Sequence, residues 1–540
     1  MTAFSLFHRP TFAAKVSSIS SSSQQRALLA SIHVQAMEMS DVLSHDHFRK
    51  LAEESIEEAL SECLDESPPL CILQALILTT FQQLTNGVRG RSWRALHTCV
   101  SVAYDLHLHL VDKNVTTRNS NETEFILQEE KRRAWWTLWE FDVFASTIRK
   151  LPTAIDWANN ETWLPVDDDL WFSNTSAISC TLNPDPAVAW KELKKSGNQG
   201  SKSWFIVINA LMRCGHTIAF PSVYSCDTLH GEVSSVPETS RTVQSNLDVL
   251  SNSLYCLSSA LPNYLSYNGE FLNFLPGRYL HNDSAKHSIH VMMNLCRFML
   301  YHLIVFNSTY RNLGVASTPS SENLASAASL DRFSSLDNAA WNVYLTAASE
   351  IVTIIRNSSP KHVRYVNPFF SSTIWLAAAA QIISRKVGPD YVNPRVAESN
   401  LDVLQTNLAA YVSFWRVPGT LQQKLNVLNA RMETVGGQVL NSEAFRSQTP
   451  PNETNIRLSG MNDAQYFNRR FPNIATSAMQ YPAPASQTFS VPSTNHSQAP
   501  NGSVWATQQS LNFDGTIPDM TPSNIWGYGL DDLLIYGGFE

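Results

Sequence analysis

Three clusters of side chains carry groups that could do chemistry. These are His97 with His107 and His109, the run Asp167-Asp168-Asp169, and the run Lys131-Arg132-Arg133. A metal site would need the histidines on one face. Alternate residues of a helix point about 200° apart, so His107 and His109 cannot grip one ion, and they read as core or surface histidines. The acidic run is a loose match to a magnesium motif. Leu170 and Trp171 follow it and no second acidic cluster stands at ligand spacing, so it reads as a loop or helix cap. Gly-rich phosphate loops, nucleophile elbows and zinc-protease or kinase motifs are absent, and nothing positive supports an enzyme. The basic run leads straight into Trp135-Trp136. That context predicts pairing with buried or half-buried acids, Asp142 and Glu140 being the candidates, rather than contact with phosphate. Asp142 interrupts an apolar helix and, if buried, needs a charged or hydrogen-bonding partner.

The eight cysteines stand singly, no two closer than eight positions (Cys63 and Cys71). A structural zinc module draws on paired ligands, so neither a zinc finger nor a binuclear cluster is expected, and the thiols read as reduced and buried. The start of the chain lacks the basic-then-apolar order of a signal peptide. The most apolar windows, Ile374–Ile383 and Val291–Phe306, are short of the about 20 apolar residues a membrane span needs. Both read as core helices, and no membrane partner is expected.

A helical period positions these groups. In Arg91–His109 the residues Trp93, Leu96, Val100, Ala103 and His107 recur at three- and four-residue steps. The next helix, Glu129–Ser146, opens with acids that suit the positive end of the helix dipole. Its Trp135, Trp136, Trp139, Phe141 and Phe144 point in several directions, which puts it near the centre of a helical assembly. Further helices are predicted at 40–63, 70–85, 202–216, 241–260, 285–306, 338–355, 373–385 and 398–415. Strand patterns are scarce, so the fold class is all-α. Residues 183–203 and 315–335 read as long mobile loops.

At 540 residues the chain suggests three or four packing units of about 150 residues. The net charge of -8 opposes a chain that clamps nucleic acid by its overall field. From Phe471 onward there is no Lys or Arg, and five acids remain. The composition after about residue 441 is rich in Pro, Ser, Gln and Asn and predicts disorder. Within it, segment 505–536 interleaves acids with Phe513, Trp526, Leu530, Asp531, Leu533 and Leu534. Such a segment can fold into a groove with apolar pockets and a basic rim, or it can be an ordinary tail.

Four stretches together resemble a known family. They are Arg91-Ser-Trp93 running to Asp105-Leu-His-Leu108-His109, then Arg132-Arg133-Ala-Trp135-Trp136 running to Asp142, then Pro152-Thr-Ala-Ile155, then Leu164-Pro165-Val-Asp-Asp168. In this order they resemble the fungal-specific transcription factor domain, the middle homology region of fungal binuclear zinc cluster activators. Phe7-His-Arg-Pro-Thr-Phe12 is similar to the opening of that domain. The resemblance spans about residues 1–310, with a helical continuation over 311–440. The family usually has Gly where His107 stands, and Gly-Arg-Pro where this chain has Lys150-Leu-Pro152.

The resemblance implies an all-helical regulatory domain in a nuclear transcription regulator, with the named signature residues structural, and the acidic-aromatic segment 505–536 fits such a regulator as its activation segment. It implies transcription coactivators or a DNA-binding partner, a homodimer, and a small-molecule effector as partners. Zinc is expected only in family members that carry the cluster, with no cofactor in this chain. The expected zinc cluster would precede the first motif, so the chain reads either as shortened at its N-terminus or as a regulator without its own DNA reader. An aromatic-walled bundle can enclose a small-molecule pocket, but aromatic richness is also a packing feature, and packing is the favoured reading.

Overall fold

Buried apolar faces at helical spacing produce fifteen α-helices among the described residues. The structure, a computed structural model, describes residues 4–36, 42–113, 122–220, 236–312 and 327–446. The helices are α1 (Phe12–Ser17), α2 (Ser22–Ala36), α3 (Val42–Cys63), α4 (Leu70–Thr85), α5 (Gly90–Asp105), α6 (Glu122–Arg149), α7 (Asp168–Phe172), α8 (Pro186–Ser196) and α9 (Ser201–Ala219). They continue as α10 (Val236–Ala260), α11 (Arg278–Asn312), α12 (Ala327–Arg356), α13 (Phe370–Val387), α14 (Pro394–Trp415) and α15 (Thr420–Arg446). No strand forms among the described residues, only the isolated bridges Trp163 to Thr181 and Leu272 to Ser358. The all-α class is therefore correct.

The body up to Leu440 is one compact unit, and its main apolar core draws on residues from Phe4 to Met432, with Phe125, Val166 and Trp171 as a small separate cluster. A second unit, Asn441–Asp519, is described only to Arg446, where it is helical. Helix α6 runs through the core, with every residue from Arg132 to Val143 buried. It touches α4, α5 and α9. Helix α9 lies along α11, and α11 also packs on α12. By length and hydropathy residues 278–306 could cross a membrane, but 67% of their most apolar window is buried inside the fold, as in a core helix.

Local chemistry sets several helix ends. Asp185 caps α8 through Ala187 N at 2.9 Å, Pro186 takes the first turn, and Gly197 closes it at φ 77°. Asn393 and Pro394 open α14 in the same way. Asp167 caps α7 by accepting from Asp169 N at 2.9 Å.

Several expectations need correction. Helix α6 begins at Glu122, with Glu122 and Glu124 in its first turn, so Glu129 lies two turns inside rather than at the dipole end. Residues 183–203 are not a long loop, because Asp185 and Pro186 start a helix there. In the stretch 315–335, residues from Ala327 onward are helical and the rest lie outside the described residues. Helix α5 stops at Asp105, and His107, exposed and left-handed at φ 55°, is not on its buried face. Helix α2 had no forecast, since its buried positions include Ser23, Ala27, Ala30 and Ser31, too small and polar to print a strong period. Nearly all of the 441–540 tail, including Phe513, Trp526, Leu530, Asp531, Leu533 and Leu534, lies outside the described residues.

Candidate functional site

The second half of the signature converges on one buried network. Arg132 binds Asp112 through Nε at 2.9 Å and Nη2 at 2.5 Å, and Glu129 through Nη1 at 3.2 Å. Arg133 donates Nε to Glu129 at 2.8 Å and Nη2 to the Val166 carbonyl at 2.7 Å, and pairs with Asp168. Its guanidinium lies 4.1 Å from the centre of the Trp171 ring. Ser5 donates to Asp168 at 2.7 Å, and His8 N donates to Glu130 at 3.1 Å. Burial opposes charge on both arginines, but the carboxylates outweigh it and raise their pKa values. Burial likewise opposes charge on Asp168, and Arg133 prevails, holding its carboxyl below 3.8.

Pairing of the basic run with buried acids is thus what the structure has, but Asp142 and Glu140 are not the partners. Asp142, fully buried, accepts from Ala154 N at 3.1 Å and Ile155 N at 2.8 Å. Burial outweighs these bonds and keeps its carboxyl above the usual 3.8. Glu140 pairs with Lys202 at 2.5 Å, and burial raises its pKa despite that cation.

The first half of the signature is peripheral. Arg91 makes a surface pair with Glu53 at 2.7 Å, Asp105 and Pro152 are exposed, and Trp93 is half-buried beside His97 and Arg149. Leu108, Leu164, Trp135 and Trp136 are core residues, and Trp136 Nε1 donates to the Trp163 carbonyl at 2.7 Å. His109 lies against Tyr104 and Trp135, and burial lowers its pKa. The Pro165 carbonyl accepts from Asn198 and Ser203.

The two positions where the resembled pattern has Gly, His107 and Lys150, are both left-handed, at φ 55° and 51°. Each is a turn that Gly adopts without strain. Backbone geometry thus accounts for Gly in the pattern, and nothing in the structure explains His and Lys in its place.

Beside the network lies a cavity of two lobes, each about 80 Å³. Glu140, Phe205, Asn367 and Phe370 line both lobes, and a wider pocket of about 830 Å³ shares Ser5, Asp167, Asp168 and His281 with the first. The first lobe is polar, with Arg133, Asp168, Lys202, His281 and Ser284 in its wall. The second is apolar, walled by Phe144, Met212, Met292, Met299 and Trp375, with Asn209 among them. Asn209 Oδ1 and Ser284 Oγ are buried and have no hydrogen-bond partner. Such atoms cost free energy unless something meets them. No local spacing announces this cavity. Lys202, Asn209, Ser284 and Met299 drew no attention in the sequence because they meet only through the packing of α6, α9, α11 and the start of α13.

Among the described residues no group of three His, Cys, Asp or Glu side chains is placed to hold a metal ion, and the seven described cysteines are free. These residues do not fit a zinc cluster. Cys226 lies outside the described residues.

Residues 2–270 match the family described as the fungal specific transcription factor domain. No curated protein and no solved structure matches the chain.

Proposed function

Since the chain belongs to the fungal specific transcription factor domain family, we propose that its helical body is an effector-responsive regulatory module. It restrains or releases an activation segment within 505–536, and coactivators or a DNA-binding partner read the result. The family is one of transcription factors rather than an enzyme class, and such factors work in the nucleus. The observation that carries the reading is the two-lobed cavity with its partnerless Asn209 and Ser284. Its walls join α6, the signature helix, to α13 beyond the matched region. Occupancy could therefore shift the balance between two packings of these elements.

A reporter in fungal cells tests both halves. Residues 501–540 fused to a heterologous DNA-binding domain should activate, and Ala at Trp526, Leu530 and Leu533 should abolish activation. No activation, or activation indifferent to those changes, removes the tail half. The full chain fused to the same domain should activate less than the tail alone, and Met299→Trp, which fills the apolar lobe, should alter that restraint. Output equal to the tail's, or restraint unchanged by Met299→Trp, removes the effector half.

A further inference from the structure

We propose that the cavity takes an uncharged, single-ring aromatic molecule bearing a hydroxyl, with its ring in the methionine lobe and its hydroxyl on Asn209. This rests on reading the cavity as the effector site.

Charge comes first. The cations in the polar lobe are already matched, Arg133 by Glu129 and Asp168, and Lys202 by Glu140. His281 meets Ser201 at 3.2 Å. An anionic ligand would have to pull Lys202 off a buried carboxylate, and a cationic one would have to displace it. Both leave a desolvated charge alone, so a neutral ligand is favoured.

Size comes next. The methionine lobe, about 80 Å³, is about half the volume of a cavity that holds one benzene ring, about 150 Å³, so one ring is its upper limit and the methionines must yield to admit it. A lipid chain or fused ring system is too large for that lobe. The wall suits a ring. Met212, Met292 and Met299 offer adaptable sulfur edges, and Phe144, Phe370 and Trp375 offer aromatic faces and edges.

The hydroxyl follows from Asn209. The residue is 4% exposed, and its Oδ1 lacks a donor. Amide orientation in Asn is set by its partners, and a hydroxyl both donates and accepts, so it satisfies either orientation. A carbonyl or ether would satisfy only one.

The test uses the full chain and four single-ring probes, namely 4-methylphenol, toluene, benzoate and benzylamine, followed by calorimetry and by Trp fluorescence, to which Trp375 contributes. The phenol should bind about tenfold tighter than toluene, the worth of one buried hydrogen bond. Both ions should bind more weakly than toluene. Asn209→Leu should erase the preference for the phenol while toluene still binds, which shows that the lobe remains formed. Met299→Trp should abolish binding of all four.

Benzoate or benzylamine binding tightest, with loss in Met299→Trp, overturns the ligand class and leaves the effector reading intact. So does a failure of all four probes when Met299→Trp still alters the reporter. Probe binding with the predicted order but no effect of Met299→Trp on the reporter supports the ligand class and removes the effector reading.

Discussion

The carboxylate of Asp142 and the backbone amide of Ile155 lie 2.8 Å apart, and a second bond of 3.1 Å reaches Ala154 N. One side chain on α6 therefore fixes the turn that carries the Pro152–Ile155 motif. Asp142→Ala would leave two amides without an acceptor, the Ile155 amide fully buried, and should cost about 2–4 kcal/mol. Asp142→Asn keeps one acceptor oxygen and should cost roughly half as much. Urea unfolding of the two variants measures this, and a loss below about 1 kcal/mol for the alanine would contradict the anchoring role.

Arg133 ties α6 to the Leu164–Asp168 motif and to the N-terminal segment through Asp168 and Ser5. Arg133→Met leaves the half-buried Asp168 without its cation and the buried Glu129 with Arg132 as its cation, and should cost about 3 kcal/mol. Arg133→Lys should recover little, because an ammonium cannot serve Glu129, Asp168 and the Val166 carbonyl at once. Acid adds a signature. Asp168 has a folded pKa below its unfolded value, so its contribution is present above that value and is lost as pH falls through 3.8 and below. Asp168→Asn should lose about 2 kcal/mol near neutrality and show a shallower decline between pH 5 and 3. An unchanged acid slope would exclude the pair as a source of acid sensitivity.

The Trp-rich helix and its place in the core were legible because residue type and period act within one element. The partners of the basic run were not. At 1.5 Å per residue, Glu140 lies about 12 Å along α6 from Arg132, out of reach on a rigid helix. The true partners outside α6 are Asp112 and Asp168, brought back by two chain reversals that no local pattern encodes. Glu129 with Arg132 and with Arg133, three and four residues apart, are the pairs that helical spacing makes readable. The cavity was illegible for the same reason, since Asn209 and Ser284 become partnerless only after α9 and α11 pack.

His107 holds a left-handed turn at φ 55° and is exposed, where the resembled pattern has Gly. A non-Gly residue there carries about 1 kcal/mol of backbone strain. Relief of that strain is offset by the greater freedom of Gly in the unfolded chain and by the lost Nδ1 contact to the Asp105 carbonyl, so His107→Gly should be stabilised by no more than about 0.5 kcal/mol. His107→Ala is the control, losing the contact while keeping the strain, and should not stabilise. Equal melting temperatures for the Gly and Ala variants would show that the turn is unstrained. Lys150→Gly is a poorer test, because Lys150 also sits 4.7 Å over the Phe220 ring.

His287 should make the body acid-sensitive well above the carboxylate range. It is fully buried on α11, both ring nitrogens lack a partner, and the ring of His362 lies 5.1 Å away. Burial, then the His362 and His290 rings, holds its pKa well below 6.5. The folded state thus binds a proton less readily than the unfolded chain. Stability is full above the unfolded value of 6.5 and falls as pH drops below it toward the folded value. At pH 5, about 1.5 units below the unfolded value, the loss from this residue is at most about 2 kcal/mol. His287→Leu keeps the apolar volume and cannot titrate, so its stability should decline measurably less than the wild type's between pH 7.5 and 5. His216, also held well below 6.5 by burial and Arg213, titrates in both proteins and leaves a residual slope. Parallel urea titrations at the two pH values decide the matter, and an identical decline in wild type and His287→Leu would assign the acid sensitivity elsewhere.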